Sequence, residues 1–273
     1  MTQYRPDKQA AEKQGPESRR GRQRVEEPLL IRPWAVAKVL AGVIGVLIVV
    51  GALANYAIFN LAPHPEHDIA DVLKRFDLGH EPSIPAFYSA VVMLASSAVL
   101  WFLAKYDHQG EKERRTAWHI LAFVMLGLAI DEVVMFHEMG TAAMEKFGLS
   151  GPFYFSWVIP GFIFVCVFVA VFARLLLKLD LRTRVLFIVS GLLFISGAIG
   201  MELIAGVIFD AAEDEAAALR SVSHVLVQAV EEGLEMLGMA LFLCALLDYV
   251  NLAGLSCWLR RDNCASDEVS DVS

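Results

Sequence analysis

The 273-residue sequence lacks the short motifs that identify most nucleotide-binding, haem-binding and hydrolytic proteins. It contains no Walker loop, no G-x-G-x-x-G, no C-x-x-C-H and no G-x-S-x-G. Cysteine is scarce, with four residues and no C-x-x-C spacing, so neither a zinc ribbon nor a disulfide framework is indicated. No internal repeat is visible.

Long apolar runs are abundant instead. The chain is 56% hydrophobic, whereas a soluble domain is usually about 45–50% apolar. Six runs reach the length of about 17–25 residues that a membrane-spanning helix needs: residues 33–62, 86–104, 117–138, 153–177, 185–209 and 222–250. We therefore predict an all-α integral membrane protein, a six-transmembrane-helix bundle over residues 31–252. Residues 1–30 are predicted to be a disordered tail and residues 253–273 a second tail.

Basic residues are distributed unevenly between the two sides of the predicted membrane. Of the 23 Lys and Arg residues, 19 lie in the N-terminal segment, the loops 105–116 and 174–184, and the C-terminal tail, which share one side. The positive-inside rule then places both termini in the cytoplasm. Four tryptophans near span ends fit an interfacial aromatic belt: Trp34, Trp101, Trp118 and Trp157.

The loop after the first span contains IADVLKRF. Its apolar residues fall on one helical face and predict a short helix lying on the membrane surface: Ile69, Val72, Leu73 and Phe76.

Acidic and histidine side chains interrupt three of the apolar spans. At about 1.5 Å per residue, Asp131 in span 3, Glu202 in span 5 and Glu231 in span 6 are expected at one level of the outer half of the membrane. His137, Glu138 and His224 are expected in a layer above them. The nine candidate metal ligands are Asp131, Glu132, His137, Glu138, Glu202, His224, Glu231, Glu232 and Glu235.

Helical periodicity predicts which of these side chains face one another. On span 6, four polar residues fall within a stripe about 60° wide, with Glu232 at its edge: His224, Gln228, Glu231 and Glu235. On span 3, Asp131 and Glu138 share a face, and Glu132 and His137 are expected to point elsewhere. In span 5, the small residues Ser196, Gly197 and Gly200 are expected to allow close helix approach near Glu202.

No Lys or Arg occurs in the outer halves of these three spans, so protons, bound cations or water must offset the acids. Several Glu with one or two His form the ligand set of di-metal carboxylate sites, although the Glu-x-x-His spacing typical of them is missing. Imidazole with carboxylate favours Fe, Mn or Zn over Cu(I).

Three segments, IDEVVMFHEMG, GAIGMELIAG and VEEGLEMLGMALF, resemble a group of uncharacterised bacterial multi-pass membrane proteins. That group has a DE…HE helix, a later helix with a lone Glu and a C-terminal EE-x-x-E helix. The resemblance covers residues 117–250 and implies the bacterial cytoplasmic (inner) membrane, but no particular activity.

Three functions remain open from the sequence. The first is a metal-binding membrane protein, such as a metal-dependent hydrolase or oxidase acting on a lipophilic or interfacial substrate. The second is a proton- or divalent-cation-coupled transporter. The third is a non-catalytic sensor or assembly factor whose acids form a protonated network. Membrane lipids are the expected partners, together with a lipophilic or ionic substrate and no nucleic acid.

Overall fold

The computed structural model describes residues 32–61, 68–79, 83–107, 112–137, 139 and 148–255. The predicted tails at 1–30 and beyond residue 255 lie outside these ranges, as does Glu138. Every regular element within the described ranges is a helix, which confirms the all-α prediction.

Six of the helical segments are long and apolar enough to cross a membrane, so the chain is a multi-pass membrane protein. Five of these spans are α1 (Pro33–Asn60), α3 (Ile84–Tyr106), α4 (Lys112–Val134), α5 (Val158–Lys178) and α9 (Val222–Leu252). The remaining span, residues 181–211, consists of α6 (Leu181–Ile195), a π turn (Ser196–Met201) and α7 (Glu202–Ala211). Two short helices, α2 (Asp68–Lys74) and α8 (Glu215–Arg220), lie in the connections.

The helix α9 is the centre of the bundle and packs against α1, α3, α6 and the π turn. Among the six spans, α9 has the lowest mean hydropathy, 1.7. Nevertheless 72% of its membrane-spanning segment is buried inside the protein, whereas only 11% of the corresponding segment of α1 is buried. The most polar span is thus the one best shielded from lipid, as expected where ionisable groups must be kept out of hydrocarbon.

Span 3 ends earlier than predicted. The helix α4 stops at Val134, and Met135 adopts a left-handed backbone conformation with φ of 59°. This conformation is unfavourable for a residue with a side chain and terminates the helix. His137 therefore does not continue the helical register that was extrapolated from Asp131.

Span 5 contains the π turn, which adds one residue to a helical turn and rotates everything that follows. A Cβ atom on Gly197 would lie 2.7 Å from the Glu231 carbonyl oxygen and 2.7 Å from Glu235 Cγ. A Cβ atom on Gly200 would meet nothing within 4 Å. The predicted close approach of helices is therefore present. It occurs at Gly197 and not at Gly200.

The end of the bundle where α3 stops and α4 begins is held by a buried aspartate, Asp107, and we call it the Asp107 end. The Asp107 carboxylate accepts hydrogen bonds from Trp118 Nε1 at 3.0 Å and from the Tyr249 hydroxyl at 2.9 Å. Trp118 is fully buried, so it is not the interfacial belt residue that its position in the sequence predicted. Arg182 adds an ion pair with Asp248, with Nε 2.8 Å from Oδ2.

The opposite end of the bundle carries α2, and we call it the α2 end. Ile69 and Val72, on the predicted apolar face of α2, are exposed, whereas Ala70 is buried against the protein. An exposed apolar face on a helix beside the membrane spans is consistent with the predicted contact with the membrane surface.

Candidate functional site

The acidic stripe on α9 faces the other acid-bearing helices. The Glu231 carboxyl group interacts electrostatically with the carboxyl group of Glu202, at the start of α7. Glu235, one turn further along α9, interacts electrostatically with four other carboxyl groups: Glu132, Glu202, Glu231 and Glu232. We refer to Glu132, Glu202, Glu231, Glu232 and Glu235 as the five-glutamate group. All five are partly buried.

Glu202 owes its position to the π turn and to Gly197. The turn ends at Met201, so Glu202 is the first residue of the rotated helix α7. Because Gly197 has no side chain, the π turn lies directly on the α9 backbone at Glu231 and Glu235. This close backbone approach places the Glu202 side chain beside Glu231.

Trp157, immediately before α5, holds Glu202 from the other side. Its indole Nε1 donates a hydrogen bond of 3.0 Å to Glu202 Oε1. Its ring also contacts the ring of His137, with 5.1 Å between the two centroids. The interpretation of Trp157 as a residue of the aromatic belt was therefore wrong, since its polar edge points to an acid inside the bundle.

Asp131 and His137 form a close pair. His137 Nδ1 lies 2.9 Å from Asp131 Oδ2, and the His137 backbone N–H donates to Asp131 Oδ1 at 3.2 Å. The expectation that these residues lie about 10 Å apart in depth and face different ways was wrong, because the chain turns back at Met135. Both side chains are about 30% exposed, so the pair sits at a partly open edge of the bundle.

Glu132 connects this pair with the acids of α9. Its carboxyl group interacts electrostatically with His137 and Asp131, and it lies beside the Ser89 hydroxyl of α3. Its interaction with Glu235 reaches across to α9. Glu132 was expected to point away from the face that Asp131 and Glu138 share, and its interaction with Glu235 lies toward the neighbouring helix α9.

His224 belongs to a different environment. It is buried at the α2 end of α9, its ring stands edge-on to Phe209 at 5.3 Å, and the acid that interacts with it is Asp77. Asp77 in turn accepts a hydrogen bond from Asn55 of α1. His224 is thus near the acids in sequence but contacts a separate polar group in the structure.

The described residues include no group of three or more His, Cys, Asp or Glu side chains arranged to hold one metal ion. The glutamates of α7 and α9 instead act on one another electrostatically across the two helices. Two of the residues that matter most for this arrangement, Trp157 and Gly197, carry no charge. In the sequence, the available signals were the indole N–H of Trp157 at a span end and a glycine, Gly197, in a span that also carries an acid.

Asn55 and Asp77 were missed altogether. Asn55 is an amide in a largely apolar span, and polar residues of this kind often bond to another helix. Asp77 follows α2 and is buried. No motif joins the two, because they are 22 residues apart and meet through folding.

Comparison with known proteins assigns a family but no activity. No curated protein and no solved structure matches this chain. One family model matches residues 40–250, which cover all six spans except for the first turns of α1 and the last residues of α9. The chain therefore belongs to the family described as Domain of unknown function (DUF8692).

Proposed function

We propose that this multi-pass membrane protein binds protons and cations at the five-glutamate group, and that it carries them as a proton-coupled cation transporter. The observation that carries the proposal is the close approach of the Glu202 and Glu231 side chains, with Glu235 interacting electrostatically with both. Acids this close together cannot all be ionised without a compensating charge.

Among the described residues, the charged groups that act on Glu231 and Glu235 are all carboxyl groups and include no Lys or Arg. Arg182 pairs with Asp248 at the Asp107 end, and Asp248 is 13 residues from Glu235 along α9, about 20 Å. Protons or a mobile cation are then the species that neutralise the five glutamates. A site that exchanges one for the other is the basic requirement of proton-coupled transport.

Partial burial supports an exchangeable site. The five glutamates are neither sealed in the core nor fully exposed, and Asp131 and His137 lie at the open edge beside them. Hydrogen bonds link Asp131 to His137 and Trp157 to Glu202, which orders the side chains on the path between that edge and α9.

The test is proton movement in liposomes that contain the purified protein and an internal pH-sensitive dye. An imposed Mn²⁺ or Zn²⁺ gradient should drive proton flux in the wild type and little in Glu231→Gln or Glu235→Gln. The control is Glu213→Gln, which removes an exposed acid outside the spans. Flux no greater than in empty liposomes, or equal flux in the Glu231 and Glu213 variants, would contradict the proposal.

The Asp131–His137 pair favours a second candidate, a metal-binding protein with Fe, Mn or Zn. Histidines that ligate metals commonly donate their other ring N–H to a carboxylate, and His137 makes this contact with Asp131 at 2.9 Å. A metal held near His137 and Glu132 could activate water or oxygen for a lipophilic substrate, as in a hydrolase or oxidase. Elemental analysis of purified protein tests this. The absence of a stoichiometric transition metal, with no change in an E231A/E235A double variant, would contradict it.

A further inference from the structure

We propose that Asn55, Asp77 and His224 form a binding site for a divalent first-row transition-metal ion at the α2 end of the bundle, separate from the five-glutamate group. We call it the Asp77 site. Its residues come from three elements: α1 carries Asn55, the segment after α2 carries Asp77, and the first turn of α9 carries His224.

The hydrogen bonds of Asn55 use its side-chain nitrogen and leave its side-chain oxygen without a partner in the described residues. Asn55 Nδ2 donates to Asp77 Oδ1 at 2.8 Å and to Gln228 Oε1 at 2.9 Å, which uses both of its hydrogens. The opposite amide orientation would place an oxygen against two acceptors, so the assignment is fixed by its partners. Asn55 is 2% exposed, and its Oδ1 has no hydrogen-bond partner in the described residues.

His224 presents a second atom of the same kind. Its side chain is 7% exposed, and its Nδ1 has no hydrogen-bond partner among the residues that the structure describes. Phe209 packs against the ring at 5.3 Å, and Asp77 is the acid that interacts with it. A neutral imidazole carries a lone pair on one nitrogen, which makes it the commonest metal ligand in proteins.

Asp77 supplies the negative charge. It is 4% exposed, and its Oδ1 accepts from Asn55 and, at 3.3 Å, from the Gly79 backbone N–H. Within the described ranges, the ion pairs of Lys and Arg involve other acids and leave Asp77 without a basic partner. Buried charges are normally paired or bound to a metal.

A metal ion would satisfy these atoms together, because it accepts electron pairs. A carboxylate, an amide oxygen and an imidazole nitrogen all offer lone pairs. No hydrogen from the other two side chains reaches Asn55 Oδ1 or His224 Nδ1. Alkali and alkaline-earth ions prefer oxygen ligands throughout, whereas a mixed oxygen and imidazole set favours Mn²⁺, Fe²⁺ or Zn²⁺. Because an amide supplies one ligand, the site falls outside any group built from acids, His and Cys alone.

The surroundings of the site are tightly built. A Cβ atom on Gly79 would overlap the side-chain amide of Gln228, so Gln228 lies directly against the Gly79 backbone. Gln228 also receives the second hydrogen bond from Asn55. The glycine thus allows α9 to lock the orientation of Asn55 relative to Asp77.

The Asp77 site and the five-glutamate group are distinct along α9. His224 and Glu231 are seven residues apart, which is about 10 Å of helix. The two sites share no residue, so binding at the Asp77 site and flux through the five-glutamate group can each fail alone.

The experiment is a thermal-unfolding titration of the full chain in detergent, after chelator treatment, with Mn²⁺ and with Zn²⁺. A saturable rise in Tm is expected with at least one of the two ions, and its apparent Kd should weaken at least tenfold in Asp77→Asn. Asp71→Asn is the matched control, because Asp71 is an exposed acid on α2 that pairs with Lys74. No rise in Tm with either ion, or the same apparent Kd in Asp77→Asn and the wild type, overturns the proposal.

A second readout covers the case in which Asp77→Asn does not fold. Equilibrium dialysis followed by elemental analysis counts bound Mn²⁺ and Zn²⁺ directly, and His224→Gln keeps a polar side chain at the site while removing the imidazole. For at least one of the two ions, the wild type should bind one more ion at saturation than His224→Gln at the same protein concentration. Equal stoichiometry in the two proteins for both ions contradicts the site.

Discussion

Substituting Gly197 by alanine should separate the π turn from α9 and disturb the contact between Glu202 and Glu231. The new methyl group would lie 2.7 Å from two atoms of α9, one of them a backbone oxygen, and 3.1 Å from the Glu235 backbone nitrogen. Contacts this short with backbone cannot be relieved by a side-chain rotation. The helices must therefore move apart by several tenths of an ångström or more.

The expected magnitude follows from the two opposing effects of a Gly→Ala change in a helix. Overpacking of a tight contact typically destabilises by about 1–3 kcal/mol. Alanine also lowers the backbone entropy of the unfolded chain, which stabilises by about 0.4–1 kcal/mol. Gly197→Ala should lower the free energy of unfolding by about 1–2 kcal/mol. Gly200→Ala, in the same π turn but with open space around it, should be neutral or slightly stabilising.

The assay is reversible unfolding of both variants in mixed detergent, followed by circular dichroism. The pair controls for the amino-acid change, the helical element and the membrane environment at once. The proton flux expected of the wild type should also fall in Gly197→Ala and persist in Gly200→Ala. If Gly197→Ala is as stable as Gly200→Ala, the close approach that positions Glu202 is not as described.

Three further changes test the elements around the site, each by thermal unfolding. Trp157→Phe removes the hydrogen bond to Glu202 and should destabilise by about 1 kcal/mol or more; an unchanged Tm would argue against that bond. Met135→Gly should be neutral or stabilising. It relieves a left-handed conformation that costs about 1–2 kcal/mol, and the greater backbone entropy of glycine in the unfolded chain offsets only part of that gain. A clear fall in Tm would contradict this expectation and show that the Met135 side chain stabilises the fold by packing. Asp180 caps α6 by accepting from the Thr183 backbone N–H, so Asp180→Ala should cost about 1 kcal/mol. Slight desolvation acts to raise the pKa of Asp180, but hydrogen bonds from Thr183 hold that pKa below its ordinary value. This stabilisation is therefore present above the ordinary pKa and is lost as pH falls through the lowered one, and Asp180→Asn should flatten that acid dependence.

The six spans could be predicted because their signal is local. Length and hydropathy of each run determine whether a helix can cross a membrane, and all six runs became helices of that kind. The acidic stripe on α9 was predictable for the same reason, since α9 is one regular helix through Glu231 and Glu235. Extrapolation works where the backbone keeps a constant period.

The errors occurred where that period breaks. The left-handed turn at Met135 brings His137 back to Asp131, and no glycine marks this turn in the sequence. The π turn before Glu202 is a choice between two helical hydrogen-bonding patterns and is decided by packing against α9. Both features are set by tertiary contacts, so a single helical wheel could not predict them.

The Asp77 site illustrates a further limit. Asn55 is an amide in a largely apolar span, and Asp77 lies in a connecting segment. His224 was a candidate ligand, but it was expected to act with the acids of span 6. Their importance follows from two buried atoms without partners, which only the folded arrangement reveals. The sequence could indicate that polar atoms are present, but not which of them remain unsatisfied.

The most direct test of the central claim is infrared spectroscopy of the purified protein in lipid, in a buffer that contains chelator. With cations removed, neutralisation by protons predicts a carbonyl-stretch band of protonated carboxylic acid at neutral pH. This band should decrease in Glu231→Gln and remain in Glu213→Gln. A wild-type spectrum without protonated carboxyl absorbance, or one that Glu231→Gln leaves unchanged, would contradict the claim that the five glutamates hold protons.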